Sequence, residues 1–150
     1  MINIYRTNKD NPDFEGLIRE LNEYLNEQYG ERQSQYNDFN DTESLEAIVI
    51  AYEGDKAIGC GAFKKFGDES IEIKRMYVNP DYRNSGVGSL ILKELESWAI
   101  EDGHQSSVLE TGNNQPEALR FYKEHDYSEI PNYPPYDKMP NSICLKKELI

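Results

Sequence analysis

Read along its length, the chain predicts an α/β fold: a mixed, mostly antiparallel sheet with helices on both of its faces. Three observations carry this. Strand-like runs come before and after stretches whose apolar residues recur every three or four positions. Three β-rich runs follow one another with only short turns between them, which suits antiparallel pairing. The length of 150 residues fits one domain burying roughly 70% of its unfolded surface. No internal repeat or linker divides it, so residues 1–150 read as a single domain.

Ile2 to Arg6 alternates like a strand, and Asn11-Pro12 then offers a helix cap with proline at the first helical position. Phe14, Leu17, Ile18, Leu21, Tyr24, Leu25 and Gln28 recur at three and four, an apolar stripe with Glu15, Glu20, Glu23 and Glu27 mostly on other faces. From Tyr29 to Glu43 the chain is polar with scattered aromatics (Tyr36, Phe39), and fits either a loop or a second short helix. Ala47 to Tyr52, Ala57 to Phe66 and Ser70 to Val78 are β-rich, separated by Glu53-Gly54-Asp55 and Gly67-Asp68, and predict a meander. Val87, Ile91, Leu92, Leu95, Trp98 and Ala99 mark a helix from Gly86 to Glu101, ended by Asp102-Gly103. Ser106 to Glu110 reads as a short strand and Pro116 to Glu124 as a helix. Tyr127 to Ile130 and Ser142 to Leu149 close the sheet.

Composition narrows the function classes. The net charge is −12, from 28 acidic and 16 basic residues spread along the chain. Nucleic acid is bound through clustered Lys and Arg, and the best local cluster here is the pair Lys64-Lys65. An acidic surface suits cationic or neutral partners, and equally suits plain solubility. The N-terminal residues lack signal-peptide character and no run approaches the ~20 apolar residues of a membrane span, so a cytoplasmic protein without membrane contact is expected. Cys60 and Cys144 lie in strand-like runs with no metal or redox spacing, and read as reduced, buried residues rather than nucleophiles. His104 and His125 follow helix ends and read as surface or capping residues. No metal spacing surrounds either, so no metal is expected.

The informative stretch runs from Met76 to Gly88, where a strand passes through a turn into an amphipathic helix. Gly86 and Gly88 remove side chains where a backbone approaches a ligand, and the first-turn amides of the helix point outward with the positive dipole end behind them. Such a turn is an anion site suited to a pyrophosphate, and Arg83 either contacts the anion or orients the loop.

Arg83-Asn84-Ser85-Gly86-Val87-Gly88 resembles the signature of the GCN5-related N-acetyltransferase (GNAT) superfamily: Gln or Arg, two residues, Gly, one residue, then Gly or Ala. The predicted order of strands and helices is also that family's, with the cradle strand fourth. The resemblance implies acetyl-CoA as co-substrate. It implies that Arg83, Asn84, Ser85, Gly86, Val87, Gly88 and Ser89 hold the pyrophosphate, that Met76, Tyr77 and Val78 pair with the pantetheine arm, and that a splay between two strands admits the cofactor. The activity implied is transfer of an acetyl group to a primary amine by direct attack in a ternary complex. The alternative is an acyl-CoA sensor or interaction module without turnover.

Gln115 to Tyr122 is similar to the family's helix that carries a coenzyme-side tyrosine, which puts Tyr122 at the general-acid position. A phenol of ordinary pKa about 10 is protonated at neutral pH and can give its proton to a departing thiolate. Tyr122 also fits a core aromatic beside Phe121. Where the family often has Asn this chain has Gln115, which leaves the cofactor contact to Asn114 or Asn113. Where it usually has Gly after this helix, the chain has Asp126, which can occupy a left-handed position at some cost.

For the base, Glu72 falls where some members, histone acetyltransferases among them, keep a glutamate. Glu72 and Lys74 lie two apart and share a strand face that Met76 and Val78 continue. Lys74 can pair with Glu72 and weaken it as a base, and Glu72 equally fits a plain surface charge. Tyr133-Pro134-Pro135-Tyr136 fits a wall of the acceptor pocket or a stiff strand connection. The amine acceptor is left open, and the oligomeric state, a homodimer included, is not set by any residue pattern.

Overall fold

The computed structural model describes residues 1–29 and 44–150. The stretch expected to be a loop or short helix, with Tyr36 and Phe39, lies outside them from residue 30 onward. The elements are β1 (Ile2–Thr7), α1 (Pro12–Tyr29), β2 (Ala47–Glu53), β3 (Lys56–Phe66), β4 (Ser70–Val78), α2 (Val87–Glu101), β5 (Ser106–Gly112), α3 (Pro116–Glu124), β6 (Ser128–Ile130) and β7 (Ser142–Glu148). Single 3₁₀ turns occupy Pro80–Tyr82 and Tyr136–Lys138.

The strands form one sheet in the order β1-β2-β3-β4-β5-β7-β6. Every neighbouring pair is antiparallel except β4 with β5. The continuous apolar run of β2 follows from burial on both faces. Ile48 and Ile50 meet the α1 stripe of Phe14, Leu17, Ile18 and Leu21, while Ala47, Val49 and Ala51 face Val87, Ile91, Leu92 and Leu95 of α2. Each large apolar side chain so buried contributes roughly 1.5–3 kcal/mol, which fixes both helices against the sheet. α1 starts where expected, with the Asn11 side chain accepting from the Asp13 amide at 2.9 Å. β5 runs past the expected Glu110 to Gly112 because β7 pairs with it as far as Ser142 opposite Gly112.

The alternation expected along β4 breaks at Arg75, whose φ is 58°. The β3 pairing jumps there, from Cys60 opposite Tyr77 to Ala62 opposite Lys74. The bulge places one extra residue on β4 and reverses the faces beyond it. Ile71 and Ile73 face α2, so Glu72 and Lys74 face the α1 side. Past the bulge, Met76 and Val78 pack on the α2 side and Tyr77 on the α1 side. The expectation that Met76 and Val78 continue the face of Glu72 and Lys74 is therefore corrected. Gly61 stands opposite the bulge, where an added Cβ would lie 2.5 Å from Met76 Sδ and 2.8 Å from methyls of Ile91 and Leu95. Gly61→Ala is expected to cost about 1–3 kcal/mol through overpacking, read as a lower denaturation midpoint at unchanged m-value.

Candidate functional site

The site begins where two parallel strands stop pairing. β4 and β5 are joined only through Ser70–Ser106, Ile71–Ser107 and Glu72–Val108. Beyond these the strands diverge, β5 following β7 instead. The gap opens into a cavity of about 830 Å³, lined by residues 72–78 of β4, 109–112 of β5, the start of α2, and Phe121 and Tyr122 of α3.

The loop into α2 is built from short-range bonds. The Asn79 side chain accepts from the Asp81 amide at 2.9 Å and closes the 3₁₀ turn. Arg83 Nε donates to the Val78 carbonyl at 2.9 Å, and its guanidinium lies 4.7 Å from the Tyr24 ring centroid. Of the two roles expected for Arg83, this geometry favours orienting the loop. The Ser85 hydroxyl donates to the Tyr82 carbonyl and braces the turn, and Ser85 does not line the cavity. Asn84 and Gly86 are left-handed, at φ 62° and 87°. The first intrahelical bond runs from the Leu90 amide to the Gly86 carbonyl at 3.1 Å. The amides of Val87, Gly88 and Ser89 precede it and have no acceptor within the helix. Open amides at a positive dipole end make an anion site.

Both glycines also have roles within the fold itself. A Cβ at Gly86 would meet no protein atom within 4 Å, and the left-handed backbone there itself favours glycine. A Cβ at Gly88 would lie 3.3 Å from the Phe121 ring, so that glycine also lets α3 pack on α2.

Tyr122 is buried in the α2-side core, edge-on to Phe121 and Tyr127, and also lines the cavity. Burial, then the charge of Glu110, hold its phenol above the ordinary value. Asn114 lines the cavity beside Gln115, as do Met76, Tyr77, Val78, Asn84 and Ser89.

Glu72 is not a surface charge. It is 3% exposed, accepts from the Tyr133 hydroxyl on Oε2 at 2.8 Å, and has Lys64 and Lys74 each 3.8 Å from Oε1. Lys74 Nζ donates to the Tyr136 hydroxyl at 2.9 Å, and burial holds its ammonium below the ordinary lysine value. The Tyr133-Pro134-Pro135-Tyr136 segment is thus more than a strand connection, since Tyr136 is buried and walls the cavity.

The structure adds groups that sequence reasoning passed over. Glu110 lines the cavity and accepts from Ser142 Oγ at 2.7 Å. Its carboxyl is raised, by burial first, against the opposing pull of Ser142 and Lys74. No motif surrounds Glu110, and only the divergence of β5 from β4 places it here. His125 closes α3 as expected, with Nδ1 2.7 Å from the Phe121 carbonyl and Nε2 2.8 Å from Ser89 Oγ. His104 is buried against Phe63, which corrects its reading as a surface residue. Cys60 Sγ donates to the Arg75 carbonyl at 3.4 Å, and burial pushes its thiol up to about 12, which removes it as a nucleophile at neutral pH.

Comparison with known proteins converges on one family. A model described as "Acetyltransferase (GNAT) family" matches residues 14–127. An "IAA acetyltransferase" of Azospirillum brasilense is 28% identical over 89% of this chain and 88% of its own. Among solved structures, a GNAT-family acetyltransferase from Staphylococcus aureus superposes with a TM-score of 0.79 at 19% identity, covering 100% of both chains. One from Elizabethkingia anophelis with acetyl-CoA bound gives 0.73 at 22% identity, over 98% of this chain and 97% of its own.

Proposed function

Because the chain belongs to the acetyltransferase (GNAT) family and is an N-acetyltransferase, we propose that it moves the acetyl group of acetyl-CoA to a primary amine by direct attack in a ternary complex. The observation that carries this is the open amides of Val87, Gly88 and Ser89 at the mouth of the β4/β5 splay. The anion site and the gap in the sheet form one continuous cavity.

The loop amides, oriented by Arg83, would hold the pyrophosphate. The backbone of Met76, Tyr77 and Val78, beyond the last β5 pair, would bind the pantetheine arm, with Asn84 and Asn114 beside it. Acetyl-CoA supplies an activated thioester. The chain supplies orientation, protection from water and two proton-handling groups. Tyr122 is the donor to the departing thiolate. Its raised phenol stays protonated through the neutral range, so it is always loaded, and it stabilises negative charge on sulfur through a directed hydrogen bond. On the acceptor side, an amine of pKa about 10.4 costs on the order of 4–5 kcal/mol to keep neutral at pH 7. A carboxylate facing the cavity offsets part of that. Glu72 is the one the family resemblance indicates, and it sits in a web of Tyr133, Lys64 and Lys74.

The donor half is tested by ligand-induced stabilisation. Coenzyme A at a hundredfold excess over its Kd is expected to stabilise the protein by ~2.7 kcal/mol, seen as a rise in Tm. An unchanged Tm at millimolar coenzyme A would contradict the donor site.

A further inference from the structure

Two carboxylates, the buried Glu72 and the half-buried Glu110, line the same cavity from the same side of the sheet. Ile71, Ile73 and Leu109 belong to the α2-side core, so their neighbours Glu72 and Glu110 point to the opposite face. Their surroundings differ. Glu72 accepts from Tyr133 on one oxygen and balances Lys64 and Lys74 with the other. Among the described residues, Glu110 accepts a single hydrogen bond, from Ser142 to Oε2, and it stands on β5 two residues past the last pair with β4.

We propose that Glu110, not Glu72, is the catalytic residue that takes the proton from the attacking amine. Glu72 is then a positioning residue that holds Lys74 and, through Tyr133, the loop over the acceptor side. The inference rests on the acetyl-transfer reading above. In the step, the nitrogen of the neutral amine bonds to the acetyl carbon as the C–S bond breaks. Glu110 accepts the proton the nitrogen sheds, Tyr122 supplies one to sulfur, and exchange with water restores both groups.

Electrostatics supports the assignment. The charged and titratable groups acting on Glu110 are Lys74 and Glu72 of β4, Tyr122 of α3 and Cys144 of β7. Burial outweighs Lys74 and Ser142, so the Glu110 carboxyl titrates above the ordinary 4.5. A carboxylate raised above its ordinary value is a stronger base than an ordinary one.

The test compares E110Q and E72Q with the unaltered protein, using the amine it turns over fastest. Calorimetry with coenzyme A and Tm are measured on each. Gln at 110 keeps the acceptor for Ser142, and Glu110→Asp provides a second variant that retains the base at shorter reach. E110Q is expected to lower kcat/KM by about 10²- to 10⁴-fold at pH 7 with coenzyme A affinity unchanged. The acid limb, where the rate rises with pH as Glu110 loses its proton, is expected to vanish in E110Q and persist in E110D and E72Q. A limb that persists in E110Q, or one lost in E72Q instead, overturns the assignment while acetyl transfer stands. A protein that binds coenzyme A yet turns over no amine removes the parent reading and this one with it.

Discussion

Tyr122→Phe is expected to lower the single-turnover rate by about 10²- to 10⁴-fold while coenzyme A affinity stays nearly constant. The substitution keeps the ring that packs on Phe121 and Tyr127 and deletes only the hydroxyl. A side chain buried in the core and lining the cavity can matter for packing, chemistry or both, and the kinetics separate these. If the hydroxyl only packs, its loss changes stability by about 1 kcal/mol and leaves the folded fraction fully active. The raised phenol sets the sign of the pH dependence: the donor is lost only far above neutrality, so Tyr122 places no limb on the profile between pH 6 and 9. A normal rate in Tyr122→Phe would retire it as the acid.

Gly86→Val is expected to weaken coenzyme A binding by about tenfold or more. Gly86 holds φ 87°, a conformation that costs an L-residue roughly 1–2 kcal/mol and a β-branched one more. An added Cβ meets nothing within 4 Å, so the protein can fold, but relaxing the backbone at 86 turns the amides of residues 87–89 away from their common direction. At 1.4 kcal/mol per tenfold, the strain alone accounts for the expected loss. Gly86→Asn, which tolerates the left-handed region better, should retain more affinity than Gly86→Val. Equal, wild-type affinity in both folded variants would show that this loop is not the anion cradle.

The elements most legible in the sequence were those whose signals are local. The α1 stripe from Phe14 to Leu21, the α2 stripe from Val87 to Ala99 and the Asn11 cap all sit within a few residues of what they specify. The left-handed Asp126 was legible for the same reason, its φ being 72°. What stayed hidden depends on distant chain. The Arg75 bulge falls among Lys74, Arg75 and Met76, with nothing on β4 to mark it. Its enabling glycine, Gly61, is on the neighbouring strand. Glu72 looked like one more acid in an acidic chain because its hydroxyl partner, Tyr133, is 61 residues away. Glu110 reads as the end of a short strand until β5 is seen to leave β4 after Val108. His104 carries no local sign of burial, since Phe63 covers it from another element. Local pattern thus located the glycine loop at the start of α2, and tertiary contacts placed Glu72 and Glu110 against the cavity.

The most direct test of acetyl transfer is thiol release from acetyl-CoA in the presence of a panel of primary amines, with the mass of each amine followed in parallel. The account predicts release that depends on the amine, with one acetylated amine formed per thiol freed. Thiol release at the same slow rate with and without every amine, in a protein that binds coenzyme A, would contradict it.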